Sequence, residues 1–571
     1  MTTTTDSRRW WALAALGLSV LVVALDLFVL TLALPTVSAD LRATSADLQW
    51  FVDAYSLVLA AALLPAGLLG DRIGRKRLLV GALVLFGLAS LGCAYSTSAG
   101  ELIAARAVLG LAAAVILPLS LAVLPVLFTP AERPRAIAAV GGATFLGYPI
   151  GPILGGWLLD HFWWGSVFLI NIPVVVLAVV AVTLLMPESH GERRLRIDLT
   201  GIVVSSAGLT SLTYGLIKAG DSGWADRVAI ITMMAGVAAL AAFAVWERVI
   251  SRPRGAASGS PGLSRRGPRP TLPLVDLDLF GSASFTWGTV LSTLVSFALF
   301  GLVFAMPQYF LDVRGLDSLA AGLRMLPMIG GLALGLFGGQ RLQTPRRRQG
   351  GAPADSAPPV SPKVLVTIGF AIMATALAVG AGTTIGSSTA FAAIWFAVTG
   401  FGLGVAMPTA LNAAIGALSP ARSGSGSALI TAMRQVGGTI GVAVLGTILA
   451  TVYRSHLHLA GLPAAATGAV TKSVAAGVAT AQAAGSHQLL DAVRLAYVHG
   501  LDVMLWVCSG IAIVSALLAL AFLPGRPVPQ AGQGAAADDA TAAPSGAASG
   551  TAPGAAPGAA TPPLDQSRMI T

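Results

Sequence analysis

Three charged residues interrupt long apolar runs in the first part of the chain. Asp26 and Asp53 each lie inside such a run, and Arg106 lies about 8 Å along a third run that begins at Glu101. A charge at the centre of a bilayer costs ~2.5–3.5 kcal/mol on insertion scales, so such residues normally face a cavity or a partner. A buried carboxyl holds a proton or faces a cation, but does not do both comfortably. That is the chemistry of proton/cation exchange.

Each of these residues also has a structural interpretation. Asp26 could hydrogen-bond to a neighbouring helix, Asp53 could be an acid favoured by the dipole near a helix N-terminus, and Arg106 could pair with carbonyls or Glu101. We take Asp26 as the first candidate for the proton-coupling and cation site and Asp53 as the second. Because all three residues fall in the outer half of the same region, we expect Arg106 to tune one of the acids.

The composition indicates that these residues lie in a membrane protein. Of the 571 residues, 55% are hydrophobic and 11% charged, and the mean hydropathy is +0.79, whereas soluble domains carry roughly 25% charged residues. The net charge of +10 does not indicate nucleic-acid binding, since the basic residues lie in short loops between apolar runs. Cys93 and Cys508 both lie within apolar runs, where buried unpaired thiols are expected.

Fourteen apolar runs are long enough to cross a bilayer as helices. The predicted spans are 11–35, 50–70, 78–97, 101–128, 136–158, 166–187, 199–218, 228–250, 284–309, 318–340, 363–384, 390–417, 425–452 and 497–523. With both termini inside, most basic residues fall in the inner loops, as the positive-inside rule requires.

The order of the runs suggests a repeated architecture with an insertion. The predicted units are a six-helix half at 1–187, an inserted helix pair at 199–250, a cytoplasmic linker at 251–283, a second six-helix half at 284–523 with a long outer loop at 453–496, and a disordered tail at 524–571.

Two glycine-containing motifs stand out among these elements. The charged turn after the second span contains Gly67, Gly70, Asp71, Arg72, Gly74 and Arg75, and a short hairpin of this kind can lock two helices together and release them. The fifth span carries Gly147, Gly151, Pro152, Gly155 and Gly156, and small residues at this spacing let helices approach closely. Packing is the base interpretation of the second motif, and a movable seam is the functional one.

Both motifs resemble those of a known family. The turn, Gly-x-Leu-x-Asp-Arg-x-Gly-Arg-Lys, resembles the signature loop of the major facilitator superfamily, and the fifth span resembles the antiporter signature of its drug exporters. Leu25-Asp26 with Ala33-Leu34-Pro35, the run Trp164 to Pro173, Pro307-Gln308-Tyr309 and Arg434 to Gly438 are similar to motifs of its fourteen-helix drug:proton antiporters. Val52-Asp53-Ala54-Tyr55 is similar to the members that export quaternary ammonium and other lipophilic cations.

The resemblance implies an all-α polytopic membrane protein with the major facilitator fold, in which two six-helix halves flank two inserted helices. It implies export of amphipathic cations driven by the proton gradient. One departure concerns the second half, where we find no acid in the tenth to thirteenth spans and only Asp502 at the outer end of the fourteenth. Coupling would then rest on the first half.

Several aromatic residues are candidates to line a substrate cavity, where cation–π contact would suit a lipophilic cation. They are Phe28, Tyr55, Phe145, Tyr148, Phe297, Phe300 and Phe304, and Arg434 in the thirteenth span joins them.

No pattern indicates an enzyme, a catalytic residue, a cofactor or a metal site. The histidines lie in loops or at helix ends, and no Gly-x-x-x-x-Gly-Lys-Ser/Thr motif is present, so this chain does not drive transport with ATP.

The sequence therefore predicts a secondary transporter of the bacterial inner membrane, with both termini cytoplasmic, that exchanges protons for amphipathic, cationic drugs by alternating access. Its partners would be these small molecules, protons and lipid, with no nucleic acid, and we expect a monomer. One alternative is a self-resistance exporter of a neutral or anionic antibiotic, in which Arg434 would matter more. Another is a membrane sensor or scaffold that transports nothing.

Overall fold

A computed structural model describes the chain at residues 6–129, 132–189, 198–251, 277–343, 360–418, 423–457 and 464–525. The central part of the predicted linker, residues 344–359 between the tenth and eleventh predicted spans, and the predicted tail from residue 526 onward lie outside the described residues. All secondary structure within the described ranges is helical.

The described residues contain fourteen long helices, as the hydropathy pattern predicts. They are α1 (Asp6–Leu41), α2 (Ser45–Ile73), α3 (Arg75–Ala94), α4 (Ala99–Ala122), α5 (Arg133–His161), α6 (Asn171–Leu185), α7 (Leu199–Ser222), α8 (Arg227–Ser251), α9 (Ala283–Gln308), α10 (Ser318–Gln343), α11 (Pro362–Gly380), α12 (Thr389–Gly416), α13 (Ser423–Ser455) and α14 (His487–Phe522). Thirteen segments are long and apolar enough to span a membrane, and α5, with 29 residues, is about 43 Å long.

Short helical segments connect or extend these helices. They lie at Leu124–Leu127, Ser166–Leu169, Leu277–Gly281, Tyr309–Val313, Ala464–Val470 and Val474–Ala483. The last two fall in the predicted outer loop, and the Tyr309–Val313 segment is a π-helical turn that continues α9.

The helices form two six-helix halves with the same internal packing. In the first half α1 packs on α5 and α6, α2 packs on α4, and α3 packs on α4 and α6. The same pairs recur eight helices later, as α9 with α13 and α14, α10 with α12, and α11 with α12 and α14. The halves meet where α2 contacts α13 and α5 contacts α10.

The inserted pair lies at the side of this bundle. α7 packs against α2 and α13, and so touches both halves. α8 packs mainly on α7, and only 11% of its most apolar window is buried. A helix that is apolar around most of its surface, and is also largely exposed, is suited to lipid contact.

Local sequence signals set the helix ends around the first-half charges. Thr44 and Asp47 form a capping box at the start of α2, in which each side chain satisfies a backbone N–H. Gly74 separates α2 from α3 with φ = +112°, a conformation that residues with a Cβ atom rarely adopt. The capping box begins α2 two turns before Asp53, which places that acid inside the helix rather than at its end.

Glycines allow unusually close approach between α10 and α12. A Cβ atom added at Gly331 would meet the carbonyl oxygen of Ala397, and one added at Gly400 would meet the carbonyl oxygen of Met328. Because backbone touches backbone here, neither neighbour can move aside as a flexible side chain could. This crossing is therefore a rigid part of the second half.

The adjacent Gly330 makes this arrangement testable, because a Cβ atom there would meet nothing within 4 Å. We expect Gly331→Val to destabilise the protein by about 1–3 kcal/mol or more through overpacking, and Gly330→Val to change its stability by less than about 1 kcal/mol. Thermal unfolding of the two variants in detergent would measure the difference. Equal melting temperatures would contradict the close backbone contact.

Candidate functional site

The structure brings Asp26 of α1 and Arg106 of α4 together in a membrane-buried ion pair. Arg106 Nη1 donates to Asp26 Oδ2, and each side chain is only 1% exposed. Removing one member of such a pair leaves an uncompensated buried charge, whereas the intact pair is neutral as a unit. Of the partners considered for Arg106 from the sequence, Asp26 is the acid that the fold provides.

Two groups on α2 hold the guanidinium in place. Arg106 Nε donates to the carbonyl oxygen of Phe51 at 2.9 Å. Its Cζ lies 4.5 Å from the centre of the Tyr55 ring, a cation–π distance. Phe51 and Tyr55 are four residues apart and therefore lie one above the other on the same face of α2. Arg106 thus connects α1, α2 and α4.

Asn171, at the start of α6, is a third member of this cluster. Its Nδ2 donates to Asp26 Oδ1 and to Ser90 Oγ, both at 3.2 Å, and the residue is 1% exposed. The Asn171 amide occupies the Asp26 oxygen that Arg106 does not. Asn171 lies in one of the motifs used for the family resemblance, but nothing in the sequence indicated that it would meet Asp26.

Asp53 is in the opposite situation. The residue is fully buried, and neither carboxylate oxygen accepts a hydrogen bond from a described residue. An unpaired buried carboxylate is far more costly than an unpaired carboxylic acid. The cluster therefore holds one acid that is paired and one that is not, on neighbouring helices.

The α5 glycines divide between two partners. Cβ atoms added at Gly147 and Gly155 would lie 2.6 Å from Ala24 Cβ and 3.2 Å from Val29 Cγ1, both on α1. One added at Gly156 would lie 2.6 Å from Leu319 Cα on α10, in the other half. The same motif thus packs against the helix that carries Asp26 and, across the boundary between the halves, against α10.

The remaining members of the motif agree with this division. The carbonyl oxygen of Pro152 faces Gly322 of α10, and Gly151 is buried. The side chains of Phe145 and Tyr148, next to Gly147 on α5, lie outside the description, as does that of Phe28 on α1.

The charged turn is tied to its own half. Arg75 Nη1 donates to the carbonyl oxygen of Ala122 at the end of α4, at 2.8 Å, and the Arg75 backbone N–H donates to Ser189. Arg72 is exposed, and a Cβ atom at Gly70 would meet Leu119 of α4. The side-chain surroundings of Gly67 and Asp71 lie outside the description.

Also at the predicted inner end of the bundle, Arg9 pairs with Glu132 at 2.9 Å. Hydrogen bonds from Thr129, together with the charge of Arg9, hold the pKa of the Glu132 carboxyl below its usual range. This pair joins the start of α1 to the start of α5.

The second-half candidates lie along α9 and α13. Phe297 and Phe300 are half-buried, whereas Phe304 is 3% exposed and lines a small cavity described below. Arg434 donates to Ser296 Oγ at 3.3 Å and contacts Met407 Sδ at 3.7 Å, so it joins α13, α9 and α12. Tyr55, by contrast, is fully buried against Arg106.

The structure also corrects the predicted helix ends around two acids of the second half. The π-helical turn extends the α9 span to Val313 and includes Asp312, while α14 begins at His487, ten residues before the predicted start. Asp502 therefore lies inside α14 rather than at its end. Buried carboxylate oxygens of both acids lack a hydrogen-bond partner among the described residues.

The two halves are joined at the end of the bundle predicted to be outer. The Asp160 carboxylate, at the end of α5, accepts the backbone N–H groups of Ser318 and Leu319 at 2.9 and 3.0 Å. These are free N–H groups in the first turn of α10, where a negative charge is favoured. The Ser45 N–H of α2 donates to the carbonyl oxygen of Lys472 in the outer loop at 2.9 Å.

Comparison with known proteins places these features in context. The family model described as Major Facilitator Superfamily matches residues 16–442. The multidrug efflux pump LfrA of Mycolicibacterium smegmatis is 34% identical over 525 residues, which cover 91% of this chain and 96% of that protein. The tetracenomycin C resistance and export protein of Streptomyces glaucescens is 30% identical over 530 residues, covering 90% and 91%. The methyl viologen resistance protein SmvA of Salmonella typhimurium is 30% identical over 516 residues, covering 87% and 95%.

Among solved structures, a bacterial homolog of the human lysosomal transporter Spinster, in an inward-facing and unoccupied conformation, is similar in fold. The TM-score is 0.62 at 17% sequence identity, and the match covers 92% of this chain and all of that one.

The ion pair can be tested by a double-mutant cycle. We expect Arg106→Met to lower the free energy of unfolding by about 3–5 kcal/mol, because Asp26 is left buried and unpaired. Adding Asp26→Asn should recover most of that loss, since both charges are then gone. Thermal unfolding in detergent would measure each member of the cycle. Additive effects of the two substitutions would contradict direct pairing.

The cross-half cap of α10 can be tested against a cap within the same half. In a protein that carries Leu159→Cys, Asp160→Ala should raise the rate at which an impermeant maleimide labels the cysteine by about fivefold. This is the effect expected if the contact between the halves at the predicted outer end loses ~1 kcal/mol of stability. Leu159 packs against the cores of both halves. Asp317→Ala removes only the hydrogen bond to Ala320 N within α10 and should leave labelling unchanged. Equal effects of both variants would contradict a cross-half seal.

Proposed function

The chain belongs to the major facilitator superfamily, and from this premise we propose that it exports amphipathic, cationic drugs in exchange for protons by alternating access. It is a multi-pass membrane transporter of small molecules and not an enzyme. The finer parts of the proposal are the direction of transport, the proton coupling and the class of substrate.

One observation supports proton coupling most directly: Asp53 is fully buried with both carboxylate oxygens unpartnered. A carboxyl in such a place is held at least cost as the neutral acid. If a change of conformation hydrates the site or brings a cationic substrate near, the proton can leave. We therefore propose Asp53 as the residue that carries the exchanged proton, which reverses the order of the two candidates favoured from the sequence.

The Asp26–Arg106 pair has a different proposed role. Asp26 is already neutralised by Arg106 and hydrogen-bonded by Asn171, so in this conformation it does not offer a cation site. Arg106 is also bound to the carbonyl oxygen of Phe51, two residues from Asp53. Loss of the Asp53 proton would place a second negative charge near this guanidinium. We propose that the resulting competition for Arg106 couples the protonation of α2 to the position of α1.

The proposed substrate class rests on the relatives and on the composition of the seam. The related proteins are named for multidrug efflux and for resistance to methyl viologen, tetracenomycin C and puromycin. In this chain Phe297, Phe300 and Phe304 lie along one helix, and Phe300 packs against the cores of both halves. Such rings would offer apolar area and cation–π contact to an amphipathic cation.

Alternating access would use the contacts that join the halves. Asp160 with the start of α10, and α2 with α13, hold the predicted outer end together. The glycine contacts of α5 let that helix slide against α1 and α10 with little side chain to rearrange. We propose that this conformation is closed outward. We also propose that the chain acts as a monomer in the bacterial inner membrane with both termini cytoplasmic.

A second candidate function is export of a neutral or anionic antibiotic. Arg434, half-buried among α9, α12 and α13, favours it because a cationic side chain there could meet an anionic substrate. One relative is named as a probable actinorhodin transporter.

The proposal predicts different outcomes for a buried and an exposed acid in vesicles that contain the purified protein. We expect Asp53→Asn to reduce proton-driven efflux of a fluorescent lipophilic cation by roughly 100-fold, the scale of a lost proton-transfer group. The same variant should retain substrate counterflow, which needs no net proton movement. Asp491→Asn, at an exposed acid near the start of α14, is the matched control and should behave as wild type.

Wild-type efflux must also disappear when a protonophore is added. Normal proton-driven efflux by Asp53→Asn at normal expression would overturn the assignment of Asp53. Selective loss of anionic-drug export in Arg434→Gln would favour the second candidate.

A further inference from the structure

A cavity of about 20 Å³ lies where both halves meet at the predicted outer end. Its lining comes from α2, α9, α13, α14 and the short helix Val474–Ala483. The polar members of the lining are Ser45, Gln49, Gln308, Tyr453 and Tyr497. A polar cavity of this size has room for one water molecule.

Gln49 supplies an acceptor that the protein itself does not satisfy. The residue is 2% exposed, and its Oε1 accepts no hydrogen bond from the described residues. A buried unsatisfied carbonyl oxygen costs about 1–3 kcal/mol, so an internal water is the expected partner. A Cβ atom added at Gly446 of α13 would lie 2.9 Å from Gln49 Cδ, so the amide is held directly against the other half.

The second half contributes groups that can complete the coordination of a water. Tyr453 donates its hydroxyl to the carbonyl oxygen of Val470 at 2.9 Å, and Tyr497 donates to Ala305 at 2.8 Å. Both hydroxyl oxygens therefore keep lone pairs that can accept. Gln308 Nε2 donates to Phe304 at 3.0 Å and retains a second N–H. A water here would have the two to four partners that buried waters require.

Asp53 follows Gln49 by four residues on α2 and therefore lies one turn further into the membrane on the same face. The rise between them is about 6 Å, close to the length of two consecutive O–H···O hydrogen bonds. Ser56, three residues beyond Asp53, and Thr439 on α13 also have buried hydroxyls without a partner among the described residues. Gln49, Asp53 and Ser56, spaced four and three residues apart, thus form a row of unsatisfied polar groups along one face of α2 that starts at the cavity.

Asp312, in the π-helical turn after α9, is a second acid near the cavity: its charge acts on Tyr453 and Tyr497 of the lining, and Arg494 acts on Asp312 in turn. The other charged groups on the surrounding helices are engaged elsewhere. Arg106 and Asp26 on α4 and α1 are paired with each other. Arg434 on α13 contacts Ser296 and Met407 of its own half, and Lys218 lies near the end of α7. Among the described residues none of these cations hydrogen-bonds to Asp53.

We propose that this cavity binds a water molecule that relays protons between the outer end of the transporter and Asp53, with Gln49 as the residue that positions it. The inference rests on the proposed function, since it supplies the route for the exchanged proton. In the relay, a hydronium ion at the cavity gives up one O–H bond and an O–H bond forms on the Asp53 carboxylate. Water remains, and the positive and negative charges cancel. The reverse step releases the proton outward.

Two substitutions remove the water by different means. Gln49→Leu keeps the size of the side chain but removes the acceptor, and Ala450→Leu fills the cavity from α13 while leaving Gln49 intact. Gln482→Leu, at an exposed position in the outer loop, is the matched control. In proteoliposomes we would measure proton flux evoked by a lipophilic cation with an internal pH-sensitive dye, and substrate counterflow in the same preparation.

We expect Gln49→Leu and Ala450→Leu each to slow coupled proton flux by about tenfold or more while counterflow stays within about twofold of wild type. A larger solvent deuterium isotope effect on flux should accompany the loss, because proton delivery becomes rate-limiting. Wild-type proton flux in both variants would overturn the relay. Equal loss of flux and counterflow would also overturn it, since that pattern reports damage to the seal. Absence of proton flux in the wild type would instead contradict the proposed function itself.

Discussion

The requirement that charge inside the membrane be compensated governs the first half of this protein. Arg106 meets that requirement by binding Asp26, the carbonyl oxygen of Phe51 and the ring of Tyr55 at once. Three helices are therefore held in one register by a single guanidinium, and Asn171 adds a fourth through the second oxygen of Asp26. In this conformation the pair is neutral as a unit, and Asp53 is the neighbouring acid that has no hydrogen-bond partner among the described residues.

If the protein works by the proposed alternating access, the second constraint is that the two halves touch without becoming fixed. The contacts between them use backbone and small residues, such as Gly156 against Leu319 and Gly446 against Gln49, together with the cap that Asp160 places on α10. Such contacts bury little side chain that would have to be repacked if the halves moved. By contrast, the α10–α12 crossing lies within one half, where rigidity carries no penalty for movement.

The halves share their packing but differ in how they hold polar groups. The first half concentrates its charges in one cluster in the predicted outer half of α1, α2 and α4. In the second half Asp312 lies in the π-helical turn after α9, Asp502 lies on α14, and Arg434 lies on α13 beside Ser296 of α9. The cavity at Gln49 lies where these two arrangements meet. On the side of the first half, the unpaired acid Asp53 lies one turn from Gln49 along α2.

The sequence by itself determined the membrane class, the fourteen helices, the family motifs and the unusual positions of Asp26, Asp53 and Arg106, because hydropathy and intramembrane charge are local properties. It also indicated that Arg106 would need a partner. Only the tertiary structure decided that the partner is Asp26, that Asn171 joins them and that Asp53 is left alone, because pairing depends on which helix faces meet. It also placed Asp312 and Asp502 inside helices, since a π-helical turn continues α9 and Ser486 caps an earlier start of α14, and hydropathy records neither feature.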